Sequence, residues 1–185
     1  MKNLVNFVSF QAVWFAAVIG ASCGLWWPGP IAATMFGIAH MLSPIRIDGD
    51  GLLIVVALLL GSVVDSAYAI SGVLTYAAPL PSTQLAPLWI LALWVGFALT
   101  LNHSLAYLAH RPVVATIAGA VVGPISYWSA GRAFDAVKLG DPLWRSLIAL
   151  SFGWGVAMLV LSLFARRSGK SASSRSALNG LERST

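Results

Sequence analysis

The chain has 185 residues, of which 58% are hydrophobic and only 9% are charged, and its mean hydropathy is +0.83. Soluble domains carry about 25% charged residues, so this composition excludes a water-soluble globule. The formal net charge is +5, but five of the eleven basic residues follow the last apolar run, and no basic face is interleaved with stacking aromatics. We therefore expect an integral membrane protein that does not bind nucleic acid.

Long uncharged stretches predict the helices that span the membrane, since a span needs about 20 apolar residues. The first predicted helix covers residues 4–24. An uncleaved first helix is favoured over a signal peptide, because the apolar run is long and contains Gln11. The second helix is short, so a re-entrant segment is its alternative. The predicted helices are, in chain order, 4–24, 30–42, 51–78, 86–108, 113–134 and 143–165.

These helices predict an all-α, polytopic transmembrane bundle of six helices. Six spans place both chain ends on one side, and the basic tail indicates that this side is the cytoplasm, an N-in/C-in topology. Residues 1–165 form the predicted transmembrane domain, and residues 166–185, rich in Ser, Arg and Gly, form a disordered basic cytoplasmic tail. The loop after the fifth helix fits this topology least well, because it places Arg132, Lys138 and Arg145 outside. The expected location is a bacterial inner membrane.

Asp65 is the one charged residue of the third predicted helix, and it lies near the middle of that helix. An Asp at the centre of a spanning helix costs about 2.5–3.5 kcal/mol on insertion scales, so it normally faces protein or water and has a partner. Counting residues at 1.5 Å each places other polar side chains at a similar depth. The predicted intramembrane polar pocket consists of Asp65, Thr100, Asn102, His103, Ser126 and Tyr127.

This pocket has a functional and a structural interpretation. An Asp–His pair could act as a proton relay or acid–base couple if the two side chains meet. A closed, fully hydrogen-bonded Asp65 would instead favour a structural role. The histidines lie on separate segments without the spacing of a zinc helix, so the sequence predicts no metal and no other cofactor. Catalytic residues cannot be assigned from the sequence.

The fifth predicted helix contains a residue pattern that is typical of close helix packing. Small residues and one tyrosine recur there at a spacing of four, a row that permits close approach of a neighbouring helix. The row consists of Ala115, Gly119, Gly123, Tyr127 and Gly131.

Several short motifs are distributed over the predicted helices. They are Asn6-Phe7 with Gln11 and Trp14, Asp65-Ser66, Leu101-Asn102-His103-Ser104-Leu105, and Gly119 with Gly123-Pro124-Ile125-Ser126-Tyr127-Trp128 and Gly131-Arg132. Together they resemble an uncharacterised bacterial integral-membrane family known as domain of unknown function 2878. The resemblance covers roughly residues 3–165 and implies no activity. Members of this family often neighbour genes for lipid-modifying enzymes, such as cyclopropane-fatty-acid-type methyltransferases, which implies a lipid-related setting.

Three functional hypotheses follow. The first is a lipid-associated membrane component, which binds a lipid or assists a lipid-modifying enzyme and has a pocket that opens sideways to the bilayer. The second is a small proton-coupled transporter, which needs a water-accessible path to Asp65 and forms a homo-oligomer, a dimer. The third is a membrane-embedded enzyme that uses Asp65 and His103.

Overall fold

The computed structural model describes residues 2–43 and 49–182, with side chains described as far as Arg166. Residues 44–48, which include Arg46 and Asp48, lie outside the described residues. The described part of the chain contains seven helices and two short strands. In chain order they are α1 (Lys2–Ser22), α2 (Pro28–Met41), α3 (Asp50–Ile70), β1 (Leu74–Tyr76), α4 (Leu88–Leu101), α5 (Ala106–Ala109), α6 (Pro112–Phe134), β2 (Val137–Leu139) and α7 (Leu143–Glu182).

Four helices are long and apolar enough to cross a membrane: α1, α3, α6 and the Leu143–Arg166 part of α7. Only 33% of the residues in each apolar window are buried, so most of these apolar side chains lie on the outer surface of the bundle. Such an exterior suits lipid and not water. The helices α2 and α4 have 14 residues each, about 21 Å at 1.5 Å per residue. The expected all-helical, membrane-type fold is thus present, and four of the six predicted spans have full length.

Helix α3 ends at Ile70, eight residues before the predicted end at Ala78. Gly72 has a φ of +72°, a left-handed conformation that stops the helix, and the chain continues as β1. Asp65 therefore lies five residues from the end of α3, about 7.5 Å along the axis, and not near the helix centre as the sequence indicated.

The fourth predicted helix is broken. It runs as α4 to Leu101, passes through a turn at residues 102–105, and resumes as the single turn α5. Polar partners stabilise this turn: the backbone N–H of Leu105 donates to the Thr100 carbonyl at 2.9 Å, and the Ser104 hydroxyl donates to Asn6 Oδ1 at 2.7 Å. A break in a membrane helix needs such partners, because the freed backbone groups find no water there.

The strands β1 and β2 pair antiparallel, with Leu74 opposite Leu139 and Tyr76 opposite Val137. The strand β1 lies where the sequence predicted the end of the third helix, and β2 lies in the loop predicted after the fifth helix. Hydrogen bonds extend it, since the Gly140 N–H and the Ser146 hydroxyl both donate to the Val73 carbonyl at 2.9 Å. The sheet joins the end of α3 to the end of α6 and closes this end of the bundle.

The small-residue row on α6 packs against α7, as its spacing predicted. A Cβ atom added at Gly119 would overlap Met158 and the Trp154 carbonyl, and one at Gly123 would overlap the Trp154 ring. Glycine at these positions lets the two helices touch without steric conflict.

Helix α7 continues to Glu182, beyond the predicted end at Ala165. Its apolar portion stops at Arg166, where the predicted membrane boundary lies. The disorder expected for residues 166–185 stays a prediction.

Candidate functional site

The Asp65 carboxylate accepts three hydrogen bonds and is fully buried, with a relative exposure of 0%. Oδ1 accepts from the hydroxyls of Tyr76 at 2.7 Å and Tyr127 at 2.5 Å, and Oδ2 accepts from Trp94 Nε1 at 2.7 Å. The three donors are uncharged and come from β1, α6 and α4, so the carboxylate ties three segments to α3. Donors of this kind offset the desolvation of a buried carboxylate.

The surroundings of this cluster fix its aromatic rings. Trp94 stacks on Trp154, with ring centroids 4.6 Å apart and planes inclined by 8°. Gly61 lies against the Trp94 ring, and a Cβ atom there would overlap it. Burial, and then the nearby Asp65 carboxylate, raise the pKa of the Tyr76 hydroxyl well above the ordinary value of a tyrosine. Tyr76 therefore acts as a hydrogen-bond donor at neutral pH.

A cavity of about 510 Å³ adjoins the Asp65 cluster. Two of the three donors, Trp94 and Tyr127, belong to its wall, whereas Asp65 itself does not. The cavity lies among α1, α4, α6 and α7, and its lining is mainly aromatic and aliphatic. Its aromatic side chains are Phe7, Phe10, Trp14, Phe15, Trp89, Trp94, Phe97, Tyr127 and Trp154, and its polar ones are Gln11, Thr100, Ser126 and Ser129.

The structure brings part of the predicted pocket together. Asp65 and Tyr127 are in contact, and Ser126 and Thr100 line the adjoining cavity. The Thr100 hydroxyl donates to the Phe97 carbonyl of its own helix at 2.6 Å. The expectation that Asn102 and His103 join Asp65 is wrong. Asp65 contacts α4 at Trp94, eight residues or about 12 Å before Asn102, and both Asn102 and His103 bond to Asp50 instead.

A second buried polar cluster surrounds Asp50, the first residue of α3. Oδ2 of Asp50 lies 2.8 Å from His40 Nε2 and 3.1 Å from His103 Nε2, and Oδ1 accepts from Asn102 Nδ2 at 2.8 Å. The relative exposures of His40, Asp50 and His103 are 3%, 1% and 7%. Asp50 and Asp65 are 15 residues apart, about 22 Å along α3, so the two clusters are separate.

Sequence reasoning missed four members of these clusters, namely Tyr76, Trp94, His40 and Asp50. The proximity of His40 to Asp50 in the chain was the one local signal available. Tyr76 carried no such signal, because residues 74–76 were predicted to be helical, and Trp94 is 29 residues from Asp65 in the chain.

Four helices able to cross a membrane, an apolar exterior and buried polar clusters define a multi-pass helical membrane protein. Within that class, the chain belongs to a family of proteins of unknown function, DUF2878, whose model matches residues 3–160. This match confirms the family expected from the motifs. Comparison with curated proteins and with solved structures found no match.

Proposed function

We propose that the protein is a lipid-associated component of the bacterial inner membrane, and that the cavity beside the Asp65 cluster binds the acyl chain of a lipid. The observation that carries the proposal is the lining of the cavity, which is aromatic and aliphatic except for a few hydroxyl and amide groups. A volume of about 510 Å³ is within the range of small-molecule sites, roughly 300–1,000 Å³.

The residues at the rim support a sideways entrance from the bilayer. Phe7 and Phe15 of α1 and Val122 of α6 line the cavity and are also 42%, 48% and 58% exposed. A cavity whose wall residues reach the surface as exposed apolar side chains opens onto that apolar surface. Its lining extends along α1 from Phe7 to Val18, about 16 Å, which suits a linear hydrocarbon chain.

The polar groups of the wall are suited to the oxygen atoms of a lipid. Trp154 Nε1 is buried in the wall and lies near the Tyr127 hydroxyl, but it makes no hydrogen bond of normal geometry among the described residues. A buried N–H without a partner costs about 1–3 kcal/mol, and an ester or hydroxyl oxygen of a ligand would satisfy it. Ser126 and Gln11 add a hydroxyl and an amide to the same wall.

In this proposal Asp65 positions the wall and does not touch the ligand. Its carboxylate is closed off and accepts three hydrogen bonds, which is the arrangement expected of a structural role. The transporter hypothesis is less well supported, since it needs a water path to Asp65. The enzyme hypothesis built on Asp65 and His103 loses its basis, because His103 contacts Asp50.

The finer topology belongs to the same proposal. We place both chain ends in the cytoplasm, with six membrane-embedded segments of which α2 and α4 are the short ones. The basic residues that follow α7's apolar portion then lie on the cytoplasmic side, as the positive-inside rule favours. A lipid-modifying enzyme and a second copy of the chain are the partners that this setting favours.

The test is retention of lipid by the purified protein. The wild type, Ser126→Trp and Ile125→Trp are stripped of bulk lipid by gel filtration in detergent, and bound lipid is counted by native mass spectrometry. Ser126 lines the cavity, whereas its neighbour Ile125 is 56% exposed and does not. We expect bound lipid in the wild type and Ile125→Trp, and at least a fivefold loss in Ser126→Trp. Equal retention by all three proteins, or no lipid in the wild type, would refute the proposal.

A further inference from the structure

The cluster around Asp50 combines three side chains that commonly bind metal ions. The two imidazole Nε2 atoms converge on one carboxylate oxygen, and the three potential ligand atoms all lie within 4.8 Å of one another. Donors on opposite sides of one ion at 2.0–2.2 Å are about 4 Å apart. A small rotation of the side chains therefore brings all three donors onto a single ion.

The three donors come from different segments of the chain. His40 is in the last turn of α2, Asp50 begins α3, and His103 lies in the turn that follows α4. All three positions are at the same end of the bundle, opposite the β1–β2 sheet. His103 lies in the turn at residues 102–105, where its backbone N–H donates to the Thr100 carbonyl at 3.0 Å.

Two imidazoles and one carboxylate form a donor set that prefers certain divalent metal ions. Imidazole suits Zn²⁺, Fe²⁺, Ni²⁺ and Cu²⁺, and the combination of two histidines with one carboxylate leaves further coordination positions open. All three side chains are almost fully buried. Each neutral histidine would bind the ion through the Nε2 lone pair, with its proton on Nδ1.

Asn102 supplies the outer contact that a metal site usually has. Its Nδ2 donates to Asp50 Oδ1 at 2.8 Å, so the amide orients the carboxylate and leaves Oδ2 facing the two histidines. Groups that hydrogen-bond to a coordinating carboxylate commonly tune metal affinity by 10–100-fold.

From this geometry we infer that His40, Asp50 and His103 form a binding site for one divalent transition-metal ion, with Asn102 as a positioning residue. The site is about 22 Å along α3 from the Asp65 cluster. Thr100 and Leu105, which flank Asn102 and His103 in the chain, line the proposed lipid cavity, but none of the four site residues does. The two proposals are tested by separate measurements, and either can fail without the other.

The inference is tested by Co²⁺ titration of detergent-purified protein carrying an affinity tag without histidine. Protein-bound Co²⁺ gives visible absorption bands, and Zn²⁺ added afterwards should displace it. Metal content after dialysis is measured separately by elemental mass spectrometry. We expect one Co²⁺ per wild-type chain, at least a 100-fold weaker affinity in His40→Ala and His103→Ala, and a 10–100-fold weaker affinity in Asn102→Ala.

The matched control is His110→Ala, which removes the third histidine. His110 is exposed and belongs to none of the contacts described here, so its replacement should leave the titration unchanged. Asp50→Asn provides a second variant that keeps a hydrogen-bonding side chain of the same shape but removes the charged ligand, in case His40→Ala fails to fold. Wild-type protein without stoichiometric Co²⁺, or folded His40→Ala or Asp50→Asn protein with wild-type affinity, would overturn the inference.

Discussion

Replacing Asp65 should destabilise the bundle in proportion to the number of donors left without an acceptor. In Asp65→Ala, the hydroxyls of Tyr76 and Tyr127 and the Trp94 Nε1–H all lose their acceptor. Each buried unsatisfied donor costs about 1–3 kcal/mol. We therefore expect the free energy of unfolding to fall by about 3 kcal/mol or more.

Asp65→Asn should have a smaller effect, because its carbonyl oxygen still accepts from the two tyrosines. Its amide nitrogen then faces Trp94 Nε1, and two donors cannot bond to each other. The expected loss is about 1–3 kcal/mol, so stability should decrease from wild type to Asp65→Asn to Asp65→Ala. The control is Asp135→Asn, which alters an exposed carboxylate and should change stability by less than about 0.5 kcal/mol.

Unfolding is followed by circular dichroism while sodium dodecyl sulfate replaces a mild detergent. A double-mutant cycle adds a sharper criterion, because Tyr76 loses its main partner in Asp65→Ala. Tyr76→Phe should cost about 1.5–3 kcal/mol in the wild type and much less in the Asp65→Ala background. If the two substitutions were additive, or if Asp65→Ala were as stable as the wild type, the reasoning from these hydrogen bonds would be refuted.

Two other substitutions test the packing of the bundle by the same unfolding measurement. Gly61→Ala should lose about 1–3 kcal/mol, because its Cβ atom overlaps a Trp94 ring that is already held by its own hydrogen bond. Gly37→Ala is the control, because no atom of another described segment lies within 4 Å of a Cβ added at that site. Its free energy of unfolding should rise by up to about 1 kcal/mol. Similar changes for both glycines would contradict the packing described. Asn6→Ala should lose about 1–3 kcal/mol, because the Ser104 hydroxyl loses its acceptor. An unchanged Asn6→Ala protein would show that α1 is held by other contacts.

The sequence was informative where polarity changes sharply. Helices α1, α6 and the start of α7 lie within about two residues of their predicted positions, because prolines and charged residues mark the boundaries. The close packing of α6 on α7 was also predictable, since Gly119 and Gly123 recur at helical spacing.

No sequence pattern indicates a change of conformation where the chain stays apolar. Residues 71–78 continue the uncharged run of α3, yet they turn at Gly72 and pair with a strand more than 60 residues later. Pairing at that distance leaves no periodicity in either segment. The break at residues 102–105 was hidden for the same reason, because its stabilising partner Asn6 is nearly 100 residues away.

The two polar clusters show the consequence of these breaks for a candidate site. Depth counting assumed a third helix that continues to Ala78, which placed Asp65 near mid-membrane beside Asn102 and His103. Because α3 ends at Ile70, Asp65 lies near one end of that helix and contacts Trp94, whereas Asn102 and His103 bond to Asp50. Local spacing rules for metal ligands could not find this set either, because its three members belong to three different segments.

The order in which the chain is synthesised gives the Asp65 cluster one more consequence. When α3 enters the bilayer, the segments that later donate to its carboxylate, 11 to 62 residues further along the chain, have not yet packed against it. The helix carries the Asp65 penalty alone at that stage, and this penalty is at most the roughly 2.5–3.5 kcal/mol of a helix centre because Asp65 lies near the end of α3. Its eleven Leu, Ile and Val residues contribute about 3–7 kcal/mol toward insertion, which is enough to offset the penalty. Membrane entry of α3 is therefore independent of the cluster, and the three donors act only in the later assembly of helices already in place.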